Sequence, residues 1–226
     1  MPSVKKTFWT ETLPEPLPGN PLSLLDSWLS QAKANAQQPN PNAMVLATVD
    51  AAQRPSARVV LCKEIEVAAG CIVFYSNYLS RKGTELAANP RAACVFHWDH
   101  VHRQARIEGL VERLSAADSD AYFASRAWQS RLGAWASHQS EPVASRAALA
   151  EAVARAAQRF NIPYAGPGSE EPPGEHAVPR PPHWGGYRLI ADAVELWVEG
   201  EFRIHDRARY TRTPPAGSWK VTRLQP

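Results

Sequence analysis

The sequence predicts a mainly β chain with flanking helices, of the α+β class, on three observations. Five apolar, β-branched runs follow one another with short polar joins: Met44 to Val49, Arg58 to Lys63, Cys71 to Asn77, Ala92 to Trp98 and Gln104 to Leu114. Such a succession reads as a meander closing toward a barrel. Helical periodicity lies before and after this block, and inside it only one short helix opens, at Ser80-Arg81-Lys82. The length of 226 residues suits one substantial core, so a single domain over residues 21–226 is expected behind an arm of residues 1–20.

Composition narrows the class. Hydrophobic residues at 44% and charged residues at 21% are those of a soluble globular protein, and no apolar run reaches the roughly 18 residues that span a bilayer. Lys5 and Lys6 are not followed by the apolar segment of a signal peptide, so a cytoplasmic location is expected. Cys62, Cys71 and Cys94 are odd in number, lack CxxC spacing and stand in apolar strand-like contexts. That favours buried, reduced thiols over a disulfide or a zinc site. A net charge of +3 demands neither nucleic acid nor a membrane surface, although Arg203, Arg207, Arg209 and Arg212 form a local basic run that needs a partner or water.

In chain order, residues 1–20 carry Pro14, Pro16 and Pro18 without an apolar period and read as an extended, flexible arm. Asn20-Pro21 is an N-cap followed by proline at the first helical position, and Leu25, Trp28, Leu29 and Ala32 share one face of a helix running to about Ala36. Asp50 to Pro55 turns the chain into the second strand, and His100-Val-His102 lies between the fourth and fifth. Ser115 with Asp118 forms a capping box for a helix bearing Tyr122, Phe123 and Arg126. A short helix over Ser130 to Ser137, the break at Gln139-Ser140 and a longer helix over Val143 to Phe160 follow. Residues 161–183 hold seven prolines and three glycines and read as an irregular surface loop. The final strands are expected at Tyr187 to Ile190, Ala193 to Val198, Phe202 to His205 and Trp219 to Arg223.

Two stretches carry candidate chemistry. In the hairpin of Arg58-Val-Val-Leu-Cys-Lys63 and Cys71 to Asn77, cations stand at the ends, and Arg81 and Lys82 fall in the first turn of the next helix. Cations there oppose the positive end of the helix dipole, a conflict that a bound anion removes; the alternative is an ordinary hairpin with solvated basic ends. Downstream, Arg203, His205 and Arg207 alternate and on a strand would share one face. Two guanidiniums and an imidazole repel one another unless an anion or a flat electron-rich ring lies against them, the alternative being a charged strand edge that discourages aggregation.

Taken together, the motifs resemble the pyridoxamine 5′-phosphate oxidase family from about Leu24 to Pro226. The pieces are Arg58 to Lys63, Phe74-Tyr-Ser-Asn77 with Ser80-Arg-Lys82, Arg103-Gln104, Tyr122-Phe-x-Ser-Arg126 with Ser130 and Gly133-Ala-Trp135, Gln139-Ser140, Trp184-Gly-Gly-Tyr-Arg188, Trp197 through Arg207, and the closing Arg223-Leu-x-Pro226. The resemblance implies a split β-barrel homodimer with FMN at the subunit interface. It implies that Arg58, Val59, Leu61, Lys63, Tyr75, Ser76, Arg81 and Lys82 hold the cofactor, completed by Gln104, Gln139, Ser140, Trp197 and Arg207, several of them from the partner chain. Lys63, Tyr122, Arg126 and Ser130 match positions for the substrate phosphate, and Arg203 and His205 those against its pyridine ring. Two phosphates would account for two basic clusters. The implied reaction moves a hydride from substrate C4′ to the flavin, which O2 reoxidises with release of hydrogen peroxide, making pyridoxal 5′-phosphate from pyridoxamine or pyridoxine 5′-phosphate.

Three features depart from the family pattern: residues 1–20 lack its Arg-x-x-Tyr segment, the 161–183 loop is longer than its common form, and Val198-Glu199 with Phe202 replace more polar neighbours of the ring contacts. Two other readings compete. A related FMN oxidase of the phenazine-biosynthesis type would have no use for the substrate-phosphate residues. A non-catalytic flavin or pyridoxal-phosphate carrier would not need Arg203 and His205.

Overall fold

The structure is a computed structural model that describes residues 8–170, 178–213 and 217–226. The chain sorts into two compact units, one of residues 1–74, 89–112 and 188–226, the other of residues 75–88 and 113–187. Eight strands form one sheet: β1 (Ala43–Val49), β2 (Pro55–Glu66), β3 (Cys71–Asn77), β4 (Arg91–Trp98), β5 (Arg103–Arg113), β6 (Trp184–Val198), β7 (Asp206–Thr211) and β8 (Lys220–Leu224). Their order is β3-β2-β1-β4-β5-β6-β7-β8, and a β3–β6 pairing closes the first six into a barrel. The split-barrel α+β class expected from the sequence is the observed one.

In the first unit, helix α1 (Pro21–Asn35) starts where Asn20 Oδ1 accepts the Leu22 N–H, 3.0 Å away, and the proline occupies a position whose N–H has no helical partner anyway. It buries Leu22, Leu25, Trp28, Leu29 and Ala32, with Trp28 edge-on to Trp98 at 6.4 Å. Phe74, Phe96, Trp98, Ile72, Ile107, Leu46 and Leu196 are among the residues closed off in the core. At Gly109 a Cβ would lie 1.9 Å from the carbonyl oxygen of Ile190. Only glycine lets the β5 and β6 backbones pass this closely. All three cysteines are buried free thiols, and burial pushes Cys62 and Cys71 up to about 12, which keeps them protonated and unreactive.

The second unit is helical: α2 (Arg81–Ala88), α3 (Ala116–Ala124), α4 (Trp128–Ala136) and α5 (Arg146–Arg159). Ser115 caps α3 by accepting from the Asp118 N–H, and Ser145 caps α5 by accepting from the Ala148 N–H. That second cap explains why α5 begins after the Val143 expected from periodicity. Phe123, Trp128, Leu132, Ala157, Ile162, Val178 and Trp184 make its core. The described ends of the proline-rich loop are therefore anchored: Ile162 and Val178 are buried, and Trp135 Nε1 donates to Pro179 O at 2.7 Å. Residues 171–177 of that loop lie outside the described residues.

The two expected strands of 187–198 are one unbroken strand, β6. Phe202 to His205 is no strand. β6 and β7 pair antiparallel with Val198 opposite Asp206, so the intervening residues must reverse the chain, and Glu201–Arg203 form a 3-10 turn instead. Phe202 and Arg203 both take positive φ, 53° and 66°. Left-handed backbone costs a non-glycine residue about 1 to 2 kcal/mol, so other contacts must hold this turn.

The arm also differs from its reading as a segment with little to pack against. Residues 1–7 lie outside the described residues, but Leu13 is only 2% exposed, its N–H donates to Asp206 Oδ2 at 2.9 Å, and Glu11 pairs with Arg103 at 2.7 Å. A buried leucine truncated to alanine costs about 2 to 5 kcal/mol. Leu13→Ala is therefore expected to lower unfolding free energy in a denaturant titration by at least about 2 kcal/mol; a change of a few tenths would mean that the arm is not part of the fold.

Candidate active site

In the second unit, β3 ends in Tyr75-Ser76-Asn77, and the chain then reverses into α2. Asn77 Oδ1 accepts the Leu79 N–H at 2.8 Å, a turn that brings Ser80 to the helix start, where its Oγ receives the Gly83 N–H at 3.4 Å. A Cβ on Gly83 would stand 2.2 Å from Tyr78 O, so glycine allows the helix to sit directly on the turn. The result folds the Lys82 side chain inward. Lys82 is 8% exposed, and its Nζ donates to Gln139 Oε1 at 2.6 Å and to Ser76 Oγ and Ser80 Oγ at 3.1 Å each. Asn77 Nδ2 reaches Ser137 O at 3.4 Å and Ser76 Oγ donates to Gln139 Oε1 at 3.3 Å, so these bonds and that of Lys82 tie the 137–139 segment to this turn. Arg81, the first helical residue, is exposed and pairs with Glu85 at 2.8 Å. The basic helix start expected from the sequence is thus present, with its two cations differently placed.

Beside it, Tyr75 stacks on Tyr122 at 3.8 Å and on Trp184 at 5.5 Å. Arg126 extends over Trp184, 4.6 Å from the ring centroid, and burial pulls its guanidinium below the usual arginine range. Its Nη1 is closed off from solvent and has no hydrogen-bond partner among the described residues. A pocket of about 280 Å³ opens here, lined by Arg126, Ser130, Asn77, Ser137, Gln139 and Trp184 among others. A sealed guanidinium N–H beside a serine hydroxyl is the donor set of an anion site, because a buried donor left unpaired is costly and an oxyanion satisfies it. Ser76, Lys82, Gln139, Tyr75, Tyr122, Arg126 and Ser130 are therefore brought together by this unit; Ser140 stands next to Gln139, exposed, with positive φ.

The first unit holds the other candidates. On β2, the Arg58 guanidinium bonds Leu46 O at 3.3 Å and the hydroxyls of Thr48 and Ser56, while Val59, Leu61 and Lys63 are exposed. Gln104 on β5 lies opposite His97 of β4. Arg207 on β7 donates through Nε and Nη2 to Glu195 Oε1, at 3.1 and 2.7 Å, and through Nη1 to Gln225 O. Glu195 is 5% exposed and takes Arg106 Nη2 on its other oxygen at 3.0 Å. Arg209 pairs with Glu108, and Arg212 donates to Ala191 O and Gly70 O. Much of the basic run thus finds its partners within the chain.

The expectation that Arg203, His205 and Arg207 share a strand face is overturned, because the chain reverses there: Arg203 is exposed on the 3-10 turn, and only Arg207 is in a strand. His205 packs on Trp197 at 4.6 Å, and its Nδ1 accepts the Gly200 N–H at 3.3 Å. An Nδ1 that accepts leaves the neutral ring's proton on Nε2, so Nε2 of His205 is a donor. Sequence reasoning missed Glu195, although a lone acid among Val194, Leu196 and Val198 of a buried strand marks a charge that must be paired.

Comparison with known proteins agrees with this architecture. Residues 30–160 match the family described as pyridoxamine 5′-phosphate oxidase, and residues 184–226 the pyridoxine 5′-phosphate oxidase C-terminal dimerisation region. The pyridoxine/pyridoxamine 5′-phosphate oxidase of Paraburkholderia phymatum is 52% identical over 207 residues, 92% of this chain and 89% of that protein; its counterpart in Polaromonas is 50% identical over 92% and 88%. Among solved structures, PhzG from Burkholderia lata, in complex with tetrahydrophenazine-1-carboxylic acid, superposes with a TM-score of 0.82 at 29% identity, covering 97% of this chain and all of that one. A related FMN-binding protein from Nostoc punctiforme, at 16% identity and a TM-score of 0.67, shares the fold. With more than half its length matched and relatives at about 50% identity across nine-tenths of it, this chain belongs to the pyridoxamine 5′-phosphate oxidase family.

Proposed function

We propose that the protein is an FMN-dependent oxidase that converts pyridoxamine or pyridoxine 5′-phosphate to pyridoxal 5′-phosphate, with O2 as acceptor and H2O2 as product. The observation that carries this reading is Arg126: a half-buried guanidinium with a sealed N–H that has no partner among the described residues, lining a pocket that it shares with Ser130. A second cation, Lys82, is buried in the same unit. A phosphorylated substrate and a phosphorylated cofactor would use two such groups.

The buried Lys82 ammonium beside the Ser76 and Ser80 hydroxyls supports a phosphorylated cofactor in this reading. A flavin phosphate would be held by Lys82, Ser76, Arg81 and Arg58 through charge-assisted hydrogen bonds, with Gln139 and Ser140 alongside. Val59, Leu61, Lys63, Tyr75, Gln104, Trp197 and Arg207 are the remaining cofactor contacts of the proposal. When bound, FMN would supply the two-electron redox chemistry that couples oxidation at substrate C4′ to reduction of O2. Arg126, Ser130, Tyr122 and Lys63 would bind the substrate phosphate, and Arg203 and His205 would lie against its ring. His205, with Nδ1 occupied by the Gly200 N–H, would orient the substrate as a donor through Nε2. With an amine substrate the imine product takes up water, so the balance is one O2 and one H2O in, aldehyde, ammonia and H2O2 out.

The phenazine-type alternative draws support from the PhzG superposition. Identity near 50% to oxidases of phosphorylated substrates, against 29% to PhzG, together with the Arg126–Ser130 pocket, favours the phosphate. A homodimer is part of the proposal. It is supported by the dimerisation-region match and by Val45, Val59 and Leu61, which leave apolar surface exposed on neighbouring strands.

The purified protein, loaded with FMN and given pyridoxamine 5′-phosphate in air, should form H2O2 and pyridoxal 5′-phosphate in equal amounts. Flavin binding without turnover would favour the carrier, and oxidation of only a carboxylated tricyclic ring would favour the phenazine type. Losing a charged hydrogen bond to phosphate costs about 1.5 to 3 kcal/mol, or roughly ten- to a hundredfold. Arg126→Ala should raise KM by that factor while the flavin is retained; loss of flavin instead would assign Arg126 to the cofactor. Sedimentation should find the flavin-loaded protein dimeric at micromolar concentration, and a loaded monomer would contradict the dimer.

A further inference from the structure

The turn that carries Arg203 and His205 is held from outside itself. Within it, Ile204 N donates to Glu201 O at 3.0 Å, and Phe202 and Arg203 stay left-handed although neither is glycine. A Cβ on Gly200 would stand 1.8 Å from Ile204 O, so the two ends of the loop are pressed together. Residues 8–13 bind both ends. At the start, the Glu201 N–H donates to Phe8 O at 2.7 Å, and the same absent Cβ of Gly200 would lie 2.8 Å from Trp9 Cδ1, so the indole edge rests on the glycine whose N–H holds His205 Nδ1. At the finish, the Leu13 N–H donates to Asp206 Oδ2, while Arg223 holds Asp206 Oδ1 at 2.6 Å. Between these points Glu11 is fixed by Arg103, whose guanidinium also reaches Gln31 and packs over Trp28 of α1. The segment is thus moored to the barrel and bonded to the residues flanking the turn.

We propose that Phe8–Leu13 is a positioning strap: it keeps the 199–206 turn in the strained conformation that presents Arg203, and holds His205 against Trp197 with Nδ1 on the Gly200 N–H. Trp9 and Asp206 are then positioning residues for the ring-contact pair. Neither needs to touch the substrate. The inference rests on the reading of Arg203 and His205 as ring contacts for its kinetic consequence, but its structural half can be tested without any substrate.

The test uses the full-length, FMN-loaded protein carrying Trp9→Ala, with Asp206→Ala as an independent cut at the other end of the strap. Trp9 is a partly exposed side chain outside the buried core. Histidine 15N spectra at about pH 8.5, above the ordinary histidine range, with the His205 signal assigned by its loss in His205→Asn, should show one tautomer in the unaltered protein, protonated at Nε2. Either strap variant should shift His205 toward exchange between tautomers. Positional errors near 1 Å can cost up to about a hundredfold in rate. Each variant should accordingly lose about tenfold in kcat/KM, mostly in kcat, with FMN Kd changed by less than about twofold. An unaltered His205 spectrum in both variants overturns the strap, whatever happens to the kinetics. If the unaltered enzyme does not turn over pyridoxamine 5′-phosphate, the proposed reaction fails, and the spectra still decide the strap.

Discussion

The interaction on which the candidate site depends is the burial of the Lys82 ammonium. Removing a cation from water costs several kcal/mol unless oxygens surround it, and here the oxygens come from three places: Ser76 at the end of β3, Ser80 at the start of α2 and Gln139 beyond α4. Those contacts fix the exit of β3, the origin of α2 and the segment after α4 with respect to one charge. The tight approach at Gly83, where no Cβ fits beneath Tyr78 O, lets the lysine turn inward instead of extending into solvent. The pocket lined by Arg126 and Ser130 borders Gln139 as well, so its rim is set by the same residue that holds Lys82.

The first unit solves a related problem with ion pairs. Glu195 on β6 stands between Arg106 and Arg207, and Glu108 stands between Arg106 and Arg209. Charges of opposite sign thus alternate across β5, β6 and β7. A buried carboxylate with a guanidinium on each oxygen is satisfied in the geometry that arginine serves best, and it holds Arg207 in one orientation. Nearby, the chain reverses through a turn whose backbone strain has to be offset by the contacts around it. Both units therefore spend stability to keep cations and strained backbone in place, as functional sites do.

The barrel was legible because its strands obey local rules. Alternation, β-branched runs and short polar joins mark β1 to β5, and Asn20-Pro21 and Ser115 mark helix starts, all through interactions within a few residues of one another. The arm at Leu13 was illegible because the residue its N–H bonds, Asp206, is 193 positions away, and prolines conceal rather than advertise such a contact. Alternation misled at Arg203, His205 and Arg207: two-residue spacing is also compatible with a reversing loop, and only the pairing of Val198 with Asp206 reveals that a turn must intervene. The basic start of α2 was legible as a conflict with the helix dipole. That Lys82 is buried while Arg81 is exposed followed from Gly83 and Gln139, which no short window joins.

If the buried ammonium is a preformed phosphate seat, its contribution must vanish when the ligand has no phosphate. The direct measurement is the Kd of FMN and of riboflavin for the unaltered protein and for Lys82→Met, by flavin fluorescence quenching. FMN affinity should fall roughly ten- to a hundredfold in the variant, while riboflavin affinity stays within about twofold. Equal losses for both ligands, or no loss for either, would contradict the assignment of Lys82 to the phosphate.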